Sequence, residues 1–319
     1  MRLRTVLKLG LGVGIVAALY LFVLPRIADY SAVGHQLGTI SSPWMVALAA
    51  GALLDIVTTA PPWRVLLPQL SWLGALTFTQ ASTALTSVLP GGAPVGMALS
   101  FGFLKRLRVS SGEAGFAVAL TGIWSQGLIL LYPLVGAVLV LGTGRLSGTT
   151  LAIVGASGGA AGVIALLVVL AFRSPRLARR LGDRFTQLRS EQLGALRKRW
   201  PALTLATVAN HLSAYLVFEL SLRAVGITVS EIPPSESFLA WSIGRAISTL
   251  PLTPAGAGFV ELGLIGTLVG FGAVNHADVV AAVLLYRGVI VLPTLLAGFT
   301  SLVLLRYRTA STGSSRGSS

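Results

Sequence analysis

Apolar residues run along this chain in long, nearly unbroken blocks, and the polar residues gather at the joints between them. Six blocks, Leu9–Leu24, Pro43–Thr59, Glu113–Leu141, Leu151–Phe172, Pro201–Val225 and Ala281–Leu305, come near the ~20 residues that cross a bilayer as one helix. Two others have a different length. Ser71–Leu104 and Phe238–Gly272 hold about 34 residues each, too many for one crossing and too few for two crossings of ~20 residues plus a turn. Each is broken near its middle, at Leu89-Pro90-Gly91-Gly92-Ala93-Pro94 and at Leu250-Pro251-Leu252-Thr253-Pro254-Ala255-Gly256-Ala257-Gly258. Backbone irregular at membrane depth is tolerated only where protein or a water-filled cavity satisfies its N–H and C=O groups. Both blocks are therefore read as re-entrant hairpins whose tips face a polar interior.

Charge orients the spans. Arg2, Arg4 and Lys8 precede the first block, which is read as an uncleaved anchor because it is long and no A-x-A site follows. Arg64, the group Lys105, Arg106 and Arg108, the segment 173–200, and Arg306 with Arg308 mark the cytoplasmic side. The segment Arg173–Arg199 carries nine basic residues. Leu177, Leu181, Phe185, Leu188 and Leu196 recur in it at helical spacing, which suits an amphipathic helix on anionic inner-leaflet lipid better than nucleic-acid binding. The loops holding Arg145, Glu231 with Glu236, and Asn275 with Asp278 fall outside. The first hairpin, 71–104, then enters from the cytoplasm and the second, 238–272, from the other side, with both termini cytoplasmic. The expected architecture is one all-α polytopic domain over 1–305 with six full spans and two oppositely oriented hairpins, followed by a disordered tail over 306–319. Paired interruptions in two halves of a chain point to a transporter's midplane site.

Composition agrees: 54% hydrophobic and 11% charged residues in 319, with no cysteine. The net charge of +14 lies mostly in loops, so it speaks of membrane orientation and not of nucleic acid. Ten acidic residues and three histidines are scattered without metal-ligand spacing, and no nucleotide-binding motif occurs. No metal, cofactor or catalytic constellation is expected, and the chain is read as a non-enzyme.

The text Leu250-Pro251-Leu252-Thr253-Pro254-Ala255-Gly256-Ala257-Gly258-Phe259-Val260-Glu261, with Tyr286-Arg287-Gly288 in the last span and Leu89-Pro90-Gly91-Gly92 earlier, resembles the membrane domain of lysylphosphatidylglycerol synthases and their stand-alone flippase-like relatives. The resemblance covers nearly the whole chain. It implies translocation of an anionic phospholipid, an aminoacyl lipid or a polyprenyl-phosphate-linked glycan across the cytoplasmic membrane. The alternative is a non-catalytic accessory partner of a glycosyltransferase or other envelope-biosynthesis enzyme. The synthases' soluble transferase domain is not expected in this chain. Gly92, Ala93 and Pro94 stand where many relatives carry charge, which argues against a charged cargo contact there.

Candidate substrate-binding residues are Pro90, Gly91 and Gly92 at the first tip, and Arg245, Thr253, Gly256, Gly258, Glu261 and Arg287 around the second. Charges within spans are costly and so are functional candidates. Two readings of Arg287 stand side by side, a bidentate fork on a lipid phosphate and an ion pair with Glu261. Thr253 could cap a helix through Glu261 whose open N–H groups receive phosphate; Gly256 and Gly258 admit close backbone approach or tight packing. His211, Tyr215, Glu219 and Arg223, at four-residue steps, form either a polar relay or a self-satisfied interhelical stripe.

Overall fold

The computed structural model describes residues 30–88, 92–173, 183–250, 253, 256–272 and 275–314. Among these the chain is all-helical: α1 (Tyr30–Gly38), α2 (Ser42–Thr58), α3 (Pro61–Leu66), α4 (Trp72–Val88), α5 (Gly92–Arg106), α6 (Ser111–Val140), α7 (Gly148–Arg173), α8 (Asp183–Ala224), α9 (Pro234–Ser248), α10 (Phe259–Gly270) and α11 (His276–Ser314). Five stretches are long and apolar enough to cross a membrane: Ser42–Leu66, Ser111–Thr143, Gly148–Leu167, Lys198–Ala224 and His276–Val303. They coincide with five of the six expected spans. The sixth, Leu9–Leu24, the tip residues Pro90 and Gly91, and Leu177 and Leu181 of the amphipathic segment lie outside the described residues.

The two long apolar blocks fold as pairs of shorter helices, α4–α5 and α9–α10. Each pair is antiparallel. Ser82 meets the Gly96 carbonyl at 3.2 Å and the Ser100 hydroxyl at 2.9 Å, while Thr86, one turn further along α4, faces Gly96. In the second pair Gly244 lies against Leu264, Ile247 against Gly263, and Ser248 against Gly256. Small residues at these crossings let the backbones approach, which is how helices pack where lipid removes the hydrophobic driving force.

The pairs are rooted at opposite ends of the bundle. At one end Arg64 sits 5.2 Å over the Trp72 ring and donates to the Leu70 carbonyl, Gln69 donates to Glu113, and Arg199 donates to the Val65 carbonyl. These contacts gather the start of α4 and the start of α6 at the basic end. At the other end the Arg145 guanidinium bonds both carboxylate oxygens of buried Glu236, at 3.2 and 3.3 Å, fixing the α6–α7 loop to the root of α9. The α9 helix is further anchored by an aromatic cluster in which Trp241 packs on Tyr132, Tyr215 and Phe238.

Two elements extend beyond their expected bounds. The segment 183–200 is helical but forms one helix with the following span, running through Pro201 to Ala224. The last helix runs to Ser314, so most of the expected 306–319 tail is helical, not disordered. The physical reason is shared: extending an existing helix fixes one residue per hydrogen bond and avoids the nucleation cost of a separate helix.

Helix α11 is the axis between the pairs. Its Gly298 lies so close to α4 that an added Cβ would stand 2.2 Å from Ala84 Cβ and 2.6 Å from the Gln80 carbonyl oxygen. Replacing Gly298 by valine should destabilise the fold by about 1–3 kcal/mol through overpacking, read as a lower melting temperature in detergent. Gly266→Ala, inside α10 at a site with open space, should not lower it, since alanine is the better helix former; equal melting of the two variants would refute the close approach.

Candidate functional site

Three adjoining cavities lie beside the first helix pair, two of them between it and the second, and all three are lined by Thr83 of α4 and Ser125 of α6. The central one, of about 350 Å³, is bounded by Asp55, Gln80, Asn210, His211, Arg245, Tyr286 and Arg287. A second, of about 380 Å³, separates Ser82, Thr86 and Ser100 of the first pair from Arg245, Ser248 and Thr249 of the second. The third, of about 250 Å³, reaches Pro62 and Trp63 towards the basic end and is lined by hydroxyls including those of Thr59, Thr79, Thr121 and Thr207. The polar interior expected between the hairpins is present, with α11 forming part of its wall through Arg287 and Thr294.

Around the second break the chain forms a closed electrostatic unit. Gly256 and Gly258 hold φ of +67° and +86°, a region that only glycine enters without strain. Helix α10 begins at Phe259 with Gly258 as its N-cap. Glu261, fully buried, accepts from the Gly258 N–H through Oε2 at 2.6 Å and from Arg287 Nε through Oε1 at 2.7 Å. This is the carboxylate half of a capping box extended by a guanidinium from α11. Thr253 does not cap the helix; its hydroxyl donates to the Ala257 carbonyl at 2.8 Å. The helix terminus thus holds the chain's own carboxylate at the N–H group offered as a phosphate contact. Of the two readings of Arg287, the geometry supplies the ion pair.

Arg245 is different. It stands about 16 Å along α9 from Pro234, at 1.5 Å per residue, and lines both the central and second cavities. Its Nε is buried without a hydrogen-bond partner, and no carboxylate pairs with it among the described residues. Asp55 faces the same central cavity but accepts from Ser213 at 3.0 Å.

The four-residue stripe on α8 divides. Tyr215, Glu219 and Arg223 satisfy one another and the root of α9: the Tyr215 hydroxyl donates to the Pro234 carbonyl at 2.9 Å, Ser237 and Arg223 donate to Glu219, and Arg223 also donates to the carbonyls of Ile227 and Ile232. His211 belongs elsewhere, between the Ser125 hydroxyl at 3.0 Å and the Tyr132 hydroxyl at 3.1 Å, on the cavity wall. Of the first-tip residues, Gly92 opens α5. Residues that the sequence reading passed over, Gln80, Thr83, Ser125 and Asn210, line the cavities; the signal for the first two was the polar density of α4, with Thr77, Thr79, Gln80, Ser82, Thr83, Thr86 and Ser87 in one block read as apolar. Among the described residues no three His, Asp or Glu side chains gather where a metal could sit.

The fold and the site define a polytopic helical membrane protein with a polar cavity between two interrupted helix pairs. The chain belongs to the family described as the lysylphosphatidylglycerol synthase TM region, which matches residues 7–298. Membership brings a membrane-lipid-related function. No curated protein matches the chain.

Removing either partner of the Glu261–Arg287 pair leaves a buried charge uncompensated, so Glu261→Gln and Arg287→Gln should each lower stability by about 3 kcal/mol. The double variant should lose clearly less than their sum, as the coupling of contacting residues requires. Additive losses in a double-mutant cycle of unfolding would show that the pair is not formed.

Proposed function

We propose that this protein is a flippase-like transporter of the cytoplasmic membrane, without enzymatic activity of its own, that carries an anionic lipid headgroup through the cavity between its two hairpins. The observation that supports this reading is Arg245: a guanidinium about halfway through the bundle, facing two cavities, with its Nε unpartnered and no salt bridge among the described residues, the carboxylate of Asp55 in the same cavity being bonded to Ser213. Taking such a charge out of water is strongly unfavourable unless something pairs with it. A lipid phosphate is the partner a guanidinium matches best, through parallel N–H bonds. The helix pairs act as re-entrant hairpins that wall the cavity from two sides, and the basic end of the bundle is cytoplasmic by the distribution of Arg and Lys. The headgroup travels in the polar interior while its acyl or prenyl chain stays in lipid.

Arg287 is held by Glu261, so its removal would confuse folding with transport. Arg245 has no such structural duty and is the cleaner probe. In protein-only liposomes, wild-type protein should exchange tail-labelled anionic lipids between leaflets, and Arg245→Gln, while melting normally, should slow exchange by about tenfold or more, the worth of a charge-assisted hydrogen bond. Folded wild-type protein that exchanges no lipid would support the accessory-partner alternative.

A further inference from the structure

The same cavity carries information about the rest of the head, provided the transport reading holds. Gln80 of α4 is 3% exposed, and its Nε2 donates to the Thr59 hydroxyl at 3.3 Å while its carbonyl Oε1 is buried with no partner. It lines the central cavity together with Arg245. A buried acceptor left unmade is costly, and a donor brought in by a ligand would satisfy it.

Thr83 lies three residues further along the helix. The other threonines of α4 fold their hydroxyls back on the preceding turn: Thr77 onto Leu73, Thr79 onto Ala75 and Thr86 onto Ser82, at 2.7, 2.8 and 2.7 Å. Thr83 is exposed, stands where the three cavities meet, and has no such bond among the described residues. A threonine hydroxyl both donates and accepts.

The charge of the lining is equally informative. The cavity towards the basic end has no Asp, Glu, Lys or Arg in its wall. In the central cavity the one carboxylate in the wall, Asp55, is bonded to Ser213 and is outnumbered by the guanidinium groups of Arg245 and Arg287. An ammonium entering beside Arg245 would meet a like charge at low dielectric. Hydroxyl groups meet matching donors and acceptors instead.

We propose that the transported head is a phosphate carrying an uncharged, hydroxyl-bearing group, a glycerol or a hexose, with the phosphate on Arg245 and the hydroxyls on Gln80 Oε1 and Thr83. The two hairpins then divide the recognition, the second reading charge and the first reading hydroxyls.

The test times leaflet exchange of four tail-labelled lipids by the full chain in liposomes: phosphatidylglycerol, a polyprenyl-phosphate hexose, phosphatidylethanolamine and lysylated phosphatidylglycerol. One or both of the first two should exchange at least about tenfold faster than either amine-bearing lipid, and the comparison between those two separates glycerol from sugar. Thr83→Val and Gln80→Met should each erode that preference several-fold, whereas Thr83→Ser, which restores the hydroxyl, should keep it. A purely structural role would change all four rates together. Equal exchange of the four heads, or faster exchange of the amine-bearing ones, overturns the assignment and leaves transport standing; no exchange of any head by folded protein overturns both.

Discussion

The carboxylate of Glu261 holds two parts of the molecule at once. One oxygen closes the start of α10 by accepting from Gly258, and the other accepts from Arg287 of α11. Both the interrupted helix pair and the final span are therefore fixed to a single buried group. The arrangement answers the constraint that hydrocarbon imposes on any chain that stops being helical at depth: the orphan N–H groups at a helix start must find an acceptor. Once Glu261 fills that role, its own charge needs compensation, and Arg287 supplies it. The remaining architecture follows, because α11, held to the second pair through Arg287, continues past the first and meets α4 backbone to backbone at Gly298.

The two arginines near the second break illustrate how neighbouring residues of one chemical type take opposite duties. Arg287 is paired with Glu261. Arg245 faces open space, and the low-dielectric surroundings that make an unpaired guanidinium expensive also make it a strong attractor of phosphate. The polar residues of α4 complete the wall opposite. On the proposed transport, recognition is shared by two half-length helix pairs rooted at opposite ends of the bundle.

Much of this was legible in the sequence. Block length and the position of Pro and Gly located five described spans and both helix pairs, because hydrocarbon thickness permits few alternatives. Arg145 and Glu236, both assigned to the outer face from loop charge, are in contact. What eluded the sequence is three-dimensional. Periodicity put His211 in line with Tyr215, but each four-residue step turns about 40° around a helix, and His211 meets Ser125 and Tyr132 of α6 instead. The sequence favoured Arg287 over Arg245 as the phosphate ligand, since nothing in a linear text shows which guanidinium finds a carboxylate. Mean hydropathy likewise concealed α4, whose polar side chains are dispersed among Leu, Ala and Phe and collect on the cavity only when the helix is wound.

The central claim is that a water-filled, phosphate-attracting cavity centred on Arg245 lies at membrane depth. The chain has no cysteine, so Ser248→Cys places one reactive thiol in the cavity wall one turn from Arg245. In intact proteoliposomes that thiol should react with a charged, membrane-impermeant maleimide, glycerol phosphate should slow the reaction, and Arg245→Gln should abolish the protection. A thiol at this position that stays unlabelled, while one introduced at exposed Ser230 labels fully, would contradict the account.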